Sequence, residues 1–237
     1  MMNYLDEIAS EYHNIPMKDK FIEDESQVFT LNWINTFIDD GLDVLELGYG
    51  EGILTNHLSK LSINLEVLEG SKILVDKALK KHQNTVFHHS FFENFEAKKK
   101  YDLIICTHVL EHVDDPVLVL NNMREWLNPN GKVIIIVPNA DSIHRQLAVI
   151  MKLQEKRDDL SKRDHIVGHK RVYDHIRLEA DILKASLSIV ERKGFFLKTI
   201  PNSMMLNYDL GLIKALNKIS DTLPFNILAN LAYVVEK

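Results

Sequence analysis

One cysteine, Cys106, is all this 237-residue chain contains, and it sits in the apolar run 103–106. An internal disulfide is excluded, and so is a zinc or iron–sulfur site built from several thiolates. Long apolar runs are missing too. The best candidates, 133–137 and 227–235, are short or interrupted by polar residues, whereas a spanning helix needs roughly 20 apolar residues. The first twelve residues lack the basic-then-apolar order of an export signal and carry Asp6, Glu7 and Glu11. A cytoplasmic protein without stable membrane insertion is therefore expected. Positive charge is in deficit, with 28 Lys and Arg against 34 Asp and Glu, a net charge of −6. That balance speaks against nucleic acid as a partner, because such binders rely on basic surfaces. The phosphate-loop pattern Gly-x-x-x-x-Gly-Lys-Ser/Thr is absent, as are internal repeats and low-complexity segments, which removes a P-loop kinase or ATPase.

What is present is enough apolar material, 46% of the chain, for one sizeable core and a single domain over 1–237. Short runs rich in Val, Ile and Leu recur at 42–47, 63–68, 85–88, 101–106 and 132–137, the pattern of buried parallel strands. Helical segments fall between them at 52–61, 71–82 and 116–127, the last with Pro116 at its start and Asn-Pro-Asn-Gly after its end. Alternation of this kind means an α/β, doubly wound sheet. Beyond Pro138 an amphipathic helix is expected over 142–154, and a second one from an Asp174 N-cap to about Ala185. Strand-like segments follow at 188–191, 195–200 and 231–236, the last two suited to an edge hairpin.

Three of the nine glycines, Gly48, Gly50 and Gly52, alternate in Glu46-Leu47-Gly48-Tyr49-Gly50-Glu51-Gly52, between a strand and a helix start. Such a loop lets the backbone approach a ligand closely, although tight helix–sheet packing also favours glycine there. Glu69 ends the second strand about twenty residues later, where a carboxylate accepts both hydroxyls of a ribose or serves the next helix as a first-turn acid. A pyrophosphate would be disfavoured by Glu46 and Glu51 beside the loop, while a zwitterionic, phosphate-free ligand tolerates them. Of the seven tyrosines only Tyr233 has a lysine four residues on, Lys237, in the last strand-like segment and remote in sequence from the glycine loop.

With these blocks, the segment Thr107-His108-Val109-Leu110-Glu111-His112 and the run Leu127-Asn128-Pro129-Asn130-Gly131-Lys132, the chain resembles the class I S-adenosylmethionine-dependent methyltransferases, in their small-molecule, bacterial-type branch. The resemblance covers roughly 42–140. It implies a Rossmann-like, seven-stranded, mostly parallel sheet with an antiparallel C-terminal edge hairpin, a helical cap over about 1–40 and a lid-like insertion over about 140–173. It also implies S-adenosylmethionine as cofactor and S-adenosylhomocysteine as product. The implied cofactor residues are Glu46, Gly48, Tyr49, Gly50 and Gly52 around the methionyl end, Glu69 at the ribose, and Leu68 and Gly70 beside the adenine. Where relatives often carry an adenine-binding Asp, this chain has Ser90, followed by Phe91 and Phe92. Thr107 and His108 close the set, His108 reading either as a cleft residue or as a histidine satisfied at a helix start.

Acceptor candidates come from the same sheet edge. Residues 145–171 hold eight Lys or Arg against four Asp or Glu, a local +4 that leaves −10 on the rest of the chain. This contrast suggests a small anionic acceptor, such as a sugar, nucleotide-sugar or phosphorylated glycan precursor, held by Asn139, Arg145, Lys170, Arg171 and Tyr173. His169 is the leading proton acceptor, with His108 and His144 as the other catalytic candidates. No metal is expected, because His88-His89 and the pair His165 and His169 lack acids in a recognisable order. Alternatives are a quinone or lipid-precursor O-methyltransferase, with membrane affinity near 223–231, and a catalytically silent binding protein of the same fold. A nucleic-acid methyltransferase is disfavoured by the charge and by the lack of an Asn/Asp-Pro-Pro-aromatic segment. Oligomeric state stays open, with a homodimer allowed.

Overall fold

A computed structural model describes residues 4–12 and 18–237. The five apolar runs become strands β1 (Asp43–Leu47), β2 (Asn64–Glu69), β3 (Val86–His89), β4 (Tyr101–Thr107) and β5 (Leu127–Pro138). Together with β6 (Ser188–Phe195) and β7 (Asn230–Glu236) they form one sheet in the order β3-β2-β1-β4-β5-β7-β6. Pairing is parallel from β3 to β5, and β7 is antiparallel to both β5 and β6. The central strands are apolar at successive positions because both faces are covered. Leu45, Leu47, Ile104 and Cys106 belong to the core on one face, and Val44, Leu103 and Ile105 to the core on the other. Side chains alternate along each strand, so one run supplies both layers.

Helices occupy the connections. Helix α3 (Ile53–Leu58) follows the glycine loop, and α4 (Lys72–Lys81) starts at Ser71, whose hydroxyl accepts from Leu74 N at 3.3 Å. Helix α5 (Pro116–Trp126) is capped by Asp115, and Asp174 caps α8 (His175–Lys184). Before the sheet lie α1 (Tyr4–Tyr12) and α2 (Lys20–Ile34). Helix α6 (Ile143–Ile150) ends four residues short of the expected 154, and α7 (Lys162–Ile166) opens with a Ser161/Asp164 capping box. α1 packs on α4 and α7, and α2 packs on α3 and on α9 (Leu210–Lys218). The sheet edge where the strands end is thereby roofed, though 1–3 and 13–17 of the expected cap lie outside the described residues.

Three expectations need correction. Residues 195–200 are not a strand: Phe196 has φ 65 and its carbonyl accepts from Ala229 N, which turns the chain out of the sheet toward α9. The antiparallel edge pair is instead β6 with β7. Residues 128–131 extend β5 irregularly rather than forming a separate turn. Leu228 and Leu231, in the stretch considered for membrane affinity, are fully buried. Among the described residues no helix is long and apolar enough to cross a membrane.

Candidate active site

Strand order reverses between β1 and β4, and open α/β sheets bind ligands at that crevice, beyond the carboxyl ends of the strands. The glycine loop lies there. Gly48, Gly50 and Gly52 have φ of 81, 51 and 77, and the loop is pinned by Gly48 N donating to the Leu68 carbonyl at 2.8 Å. A Cβ at Gly50 would meet nothing within 4 Å, so the backbone here faces open space. Tyr49 turns away: its ring is buried against His82 and Phe87.

Glu69 ties the loop to the second strand. Its Oε2 accepts from Tyr49 N at 2.8 Å and its Oε1 from Ser71 N at 2.7 Å. Burial raises its pKa, opposed by these backbone donors. The helix cap is Ser71, so Glu69 is free of that task. Asp6 of α1 accepts from Ser71 Oγ at 2.7 Å and from Ile73 N at 3.1 Å, seating α1 over this corner. The Leu5 side chain fills the space a Cβ at Gly70 would need.

Glu46 is 1% exposed and accepts from Thr55 Oγ1 at 2.8 Å. Burial pushes its pKa up to about 8, and Glu69 adds to the rise. An acid that keeps its proton in the folded state up to about pH 8 favours folding most below its unfolded value of 4.5. That stability is lost as pH rises from 4.5 to about 8. Thermal melts of the cofactor-free protein across this window should fall with pH, and Glu46→Gln should flatten the fall. Identical slopes in the two proteins would remove Glu46 as the cause.

A cleft of about 890 Å³ joins this corner to the roof. Of the residues expected at the cofactor, Glu46, Gly48, Tyr49, Gly50, Gly52, Glu69, Phe92, Thr107 and His108 line it. Leu68 is buried in the core, and Ser90 donates to the Phe91 carbonyl. Those three and Gly70 lie outside the lining. His108 is held with φ 55 by its N–H to the Ile136 carbonyl at 2.8 Å, and its side chain is 44% exposed. Desolvation by the surrounding cleft walls lowers its pKa, but Glu111 and Glu23 outweigh this and raise it.

The acceptor candidates separate. Arg145, His144 and His169 line the cleft. Arg145 is already spent on the carbonyls of Arg157 and Asp159 and on Asp164 Oδ2, at 3.0 to 3.1 Å. Arg171 donates to the carbonyls of Leu110, Val113 and Asp114, and Lys170 pairs with Asp114 at 2.5 Å. The three cations do not converge, because Lys170 and Arg171 satisfy the turn after β4 while Arg145 is engaged within the insertion. Asn139 is likewise occupied, donating to the Asn226 and Leu228 carbonyls. Tyr173 is buried, with its hydroxyl on Asp181 at 3.2 Å. His144 is half-buried, and desolvation together with Lys198 and Arg145 pushes its pKa down to about 2, so it is a weak base. His169 Nδ1 lies 2.8 Å from Asp164 Oδ1. Hydrogen bonds from His169 and Ser161 and the Arg145 charge overcome burial and hold Asp164 far below the usual carboxylate range.

Two participants escaped the sequence reading. Asp164 has no role in the sequence reading, because its partners Arg145 and His169 are distant or across a turn. Lys198 lines the cleft from a segment mistaken for a strand, and burial lowers its pKa to about 8.

A family model described as a methyltransferase domain matches residues 24–191. The chain is 25% identical over 119 residues to a mitochondrial ubiquinone biosynthesis O-methyltransferase of Schizosaccharomyces pombe, covering 47% of this chain and 43% of that one. It is 26% identical over 188 residues to the ubiquinone biosynthesis O-methyltransferase of Actinobacillus pleuropneumoniae, covering 72% and 76%. The N-methyltransferase NodS of Bradyrhizobium japonicum, solved with S-adenosylhomocysteine, shares the fold at TM-score 0.56 and 14% identity, over 91% of this chain and 86% of that one. Since the domain match spans the sheet from before β1 into β6, the chain belongs to the class I S-adenosylmethionine-dependent methyltransferases.

Proposed function

We propose that this enzyme methylates an oxygen of a small acceptor whose body is largely apolar. The observation that carries this reading is the cleft wall, where Leu31, Ala148, Val167 and Phe196 stand beyond the glycine loop with the buried Ile22 and Ile34 backing them. Polar groups share the wall with them, Lys198, Asn202 and Glu23 among them. An anionic sugar loses its main support because Lys170 and Arg171 are engaged at the turn after β4. The printed names of the two relatives, both O-methyltransferases, favour oxygen as the acceptor atom.

S-adenosylmethionine supplies a methyl group activated by its sulfonium. In this reading the backbone of Gly48 and Gly50 holds the methionyl end and Glu69 the ribose hydroxyls, while α1 covers the adenine side. The helices before β1 and the segment 140–173 act as cap and lid, excluding water from the cleft. An acceptor hydroxyl must lose its proton as it attacks, and His169, aligned by Asp164, is the group assigned to that loss.

A panel of hydroxylated aromatics with apolar tails, sugar phosphates and amines tests the acceptor class. Methyl transfer confined to the hydroxylated aromatics is expected, and transfer confined to sugar phosphates or amines would overturn the reading. His169→Ala should lower turnover by about 100-fold or more at unchanged cofactor affinity. Undiminished turnover would take His169 out of the mechanism.

A further inference from the structure

Two carboxyl groups, those of Glu46 and Glu69, line the cleft at the glycine loop with 1% and 6% exposure. Glu69 is compensated by backbone N–H donors, Tyr49 and Ser71 among them. Glu46 meets only Thr55, whose hydroxyl lies 2.8 Å from Oε2. The elements packed around Glu46 bring no cation to it. Val67 of β2 and Ile105 of β4 flank it in register, Thr55 comes from α3, and Lys20 of α2 is paired with Glu51. His108, on the turn after β4, is drawn to Glu111 and Glu23. Among the described residues neither Glu46 nor Glu69 forms an ion pair.

A buried carboxylate without a cation is costly, and a second acid in the same corner adds to the cost of charging it. Glu46 therefore keeps its proton in the free protein, in keeping with its rise to about 8. The methionyl end of the cofactor brings what the corner lacks, an α-ammonium group. Its support on the backbone of Gly48 and Gly50 sets that end beside the strand that carries Glu46. An opposite charge within about 4–6 Å favours the ionised form of a carboxyl group.

We propose that cofactor binding expels the proton of Glu46 and leaves its carboxylate as the counter-ion of the methionyl ammonium, an inference that rests on the cofactor placement above. One O–H bond breaks, in the Glu46 carboxyl group, and the proton passes to the buffer. Free Glu46 carries its proton up to about pH 8. The bound state holds one proton fewer, so affinity rises with pH until free Glu46 is itself ionised. Acidification loosens the hold on cofactor and on product alike, since both carry the ammonium. A nucleoside thioether without an ammonium group gains nothing from Glu46.

Calorimetry of the full chain with S-adenosylhomocysteine, in phosphate and in imidazole buffer between about pH 6 and 7, measures the protons released. About half a proton or more per bound ligand is expected, with affinity rising about threefold or more across that interval. 5′-Methylthioadenosine, which shares the nucleoside and the sulfur but lacks the ammonium, should bind with no release and no pH dependence. Glu46→Gln should abolish the release and flatten the affinity, and its melting curve reports whether it is folded. In the wild type the infrared band of a protonated carboxylic acid should weaken on binding, a readout that needs no variant. Absence of proton release in the wild type, or equal release from Glu46→Gln or with 5′-methylthioadenosine, would overturn the inference. Glu69→Ala judges the placement separately. Affinity indifferent to Glu69 would move the cofactor elsewhere, whereas affinity that needs Glu69 without proton release sinks only the role of Glu46.

Discussion

Glu69→Ala is expected to weaken S-adenosylmethionine binding by about 100-fold, the largest loss of cofactor affinity foreseen for any single side chain here. Both Glu69 oxygens already accept a backbone N–H, from Tyr49 and Ser71. Each retains a lone pair for a ribose hydroxyl. Hydrogen bonds to an ionised acceptor contribute about 1.5–3 kcal/mol each, so losing two reaches about 3 kcal/mol or more, the equivalent of that factor. The alanine variant also leaves the Tyr49 and Ser71 donors unpaired and loosens the glycine loop. Glu69→Gln, of the same shape, should recover part of the affinity. Calorimetry with the cofactor measures both, and an alanine variant binding as tightly as wild type would remove Glu69 from the ribose site.

The largest stability loss is expected at Gly52→Ala. Gly52 has φ 77, and an added Cβ would lie 2.5 Å from the Tyr49 ring. The left-handed conformation costs a non-glycine residue about 1–2 kcal/mol, and crowding a packed site adds about 1–3 kcal/mol. The Tyr49 ring has little room to yield, being buried between His82, Phe87 and the core of that face. The sum of about 2–5 kcal/mol corresponds to a melting temperature lower by about 5–15 °C. Gly50→Ala is the comparison, since it carries positive φ but its Cβ meets nothing within 4 Å. It should retain more stability while reducing cofactor affinity. Equal melting temperatures for Gly52→Ala and wild type would contradict the packing argument.

Local pattern carried the fold well wherever the physics was local. Apolar runs became strands because a strand buried on both faces needs apolar residues at successive positions. Asp174 and Pro116 marked helix starts because a cap or a missing N–H acts within one turn. The reading failed at 195–200, where the composition suits a strand but Phe196 adopts φ 65 to meet Ala229. That turn depends on β7, far along the chain, and no window of sequence around Phe196 contains it.

The candidate site divides in the same way. That Gly48, Gly50, Gly52 and Glu69 meet at one corner of the cleft was legible because the loop and the end of the second strand have a spacing that the βαβ geometry itself dictates. The acceptor side was misjudged because charge was counted along the chain. Arg145, Arg171 and Lys170 share a basic segment, yet one closes on Asp164 and the others on the turn after β4. Counting charges does not reveal which cations are already paired.

By itself, then, the sequence determined the sheet, the glycine loop and the cofactor class, all governed by periodicity and short-range spacing. Only the tertiary structure decided which side chains share the cleft, bringing His112, Asp164, His169 and Lys198 to one lining from three separate segments. The reason is physical. Burial and pairing set the state of an ionisable group, and both come from neighbours supplied by the fold rather than by the chain on either side.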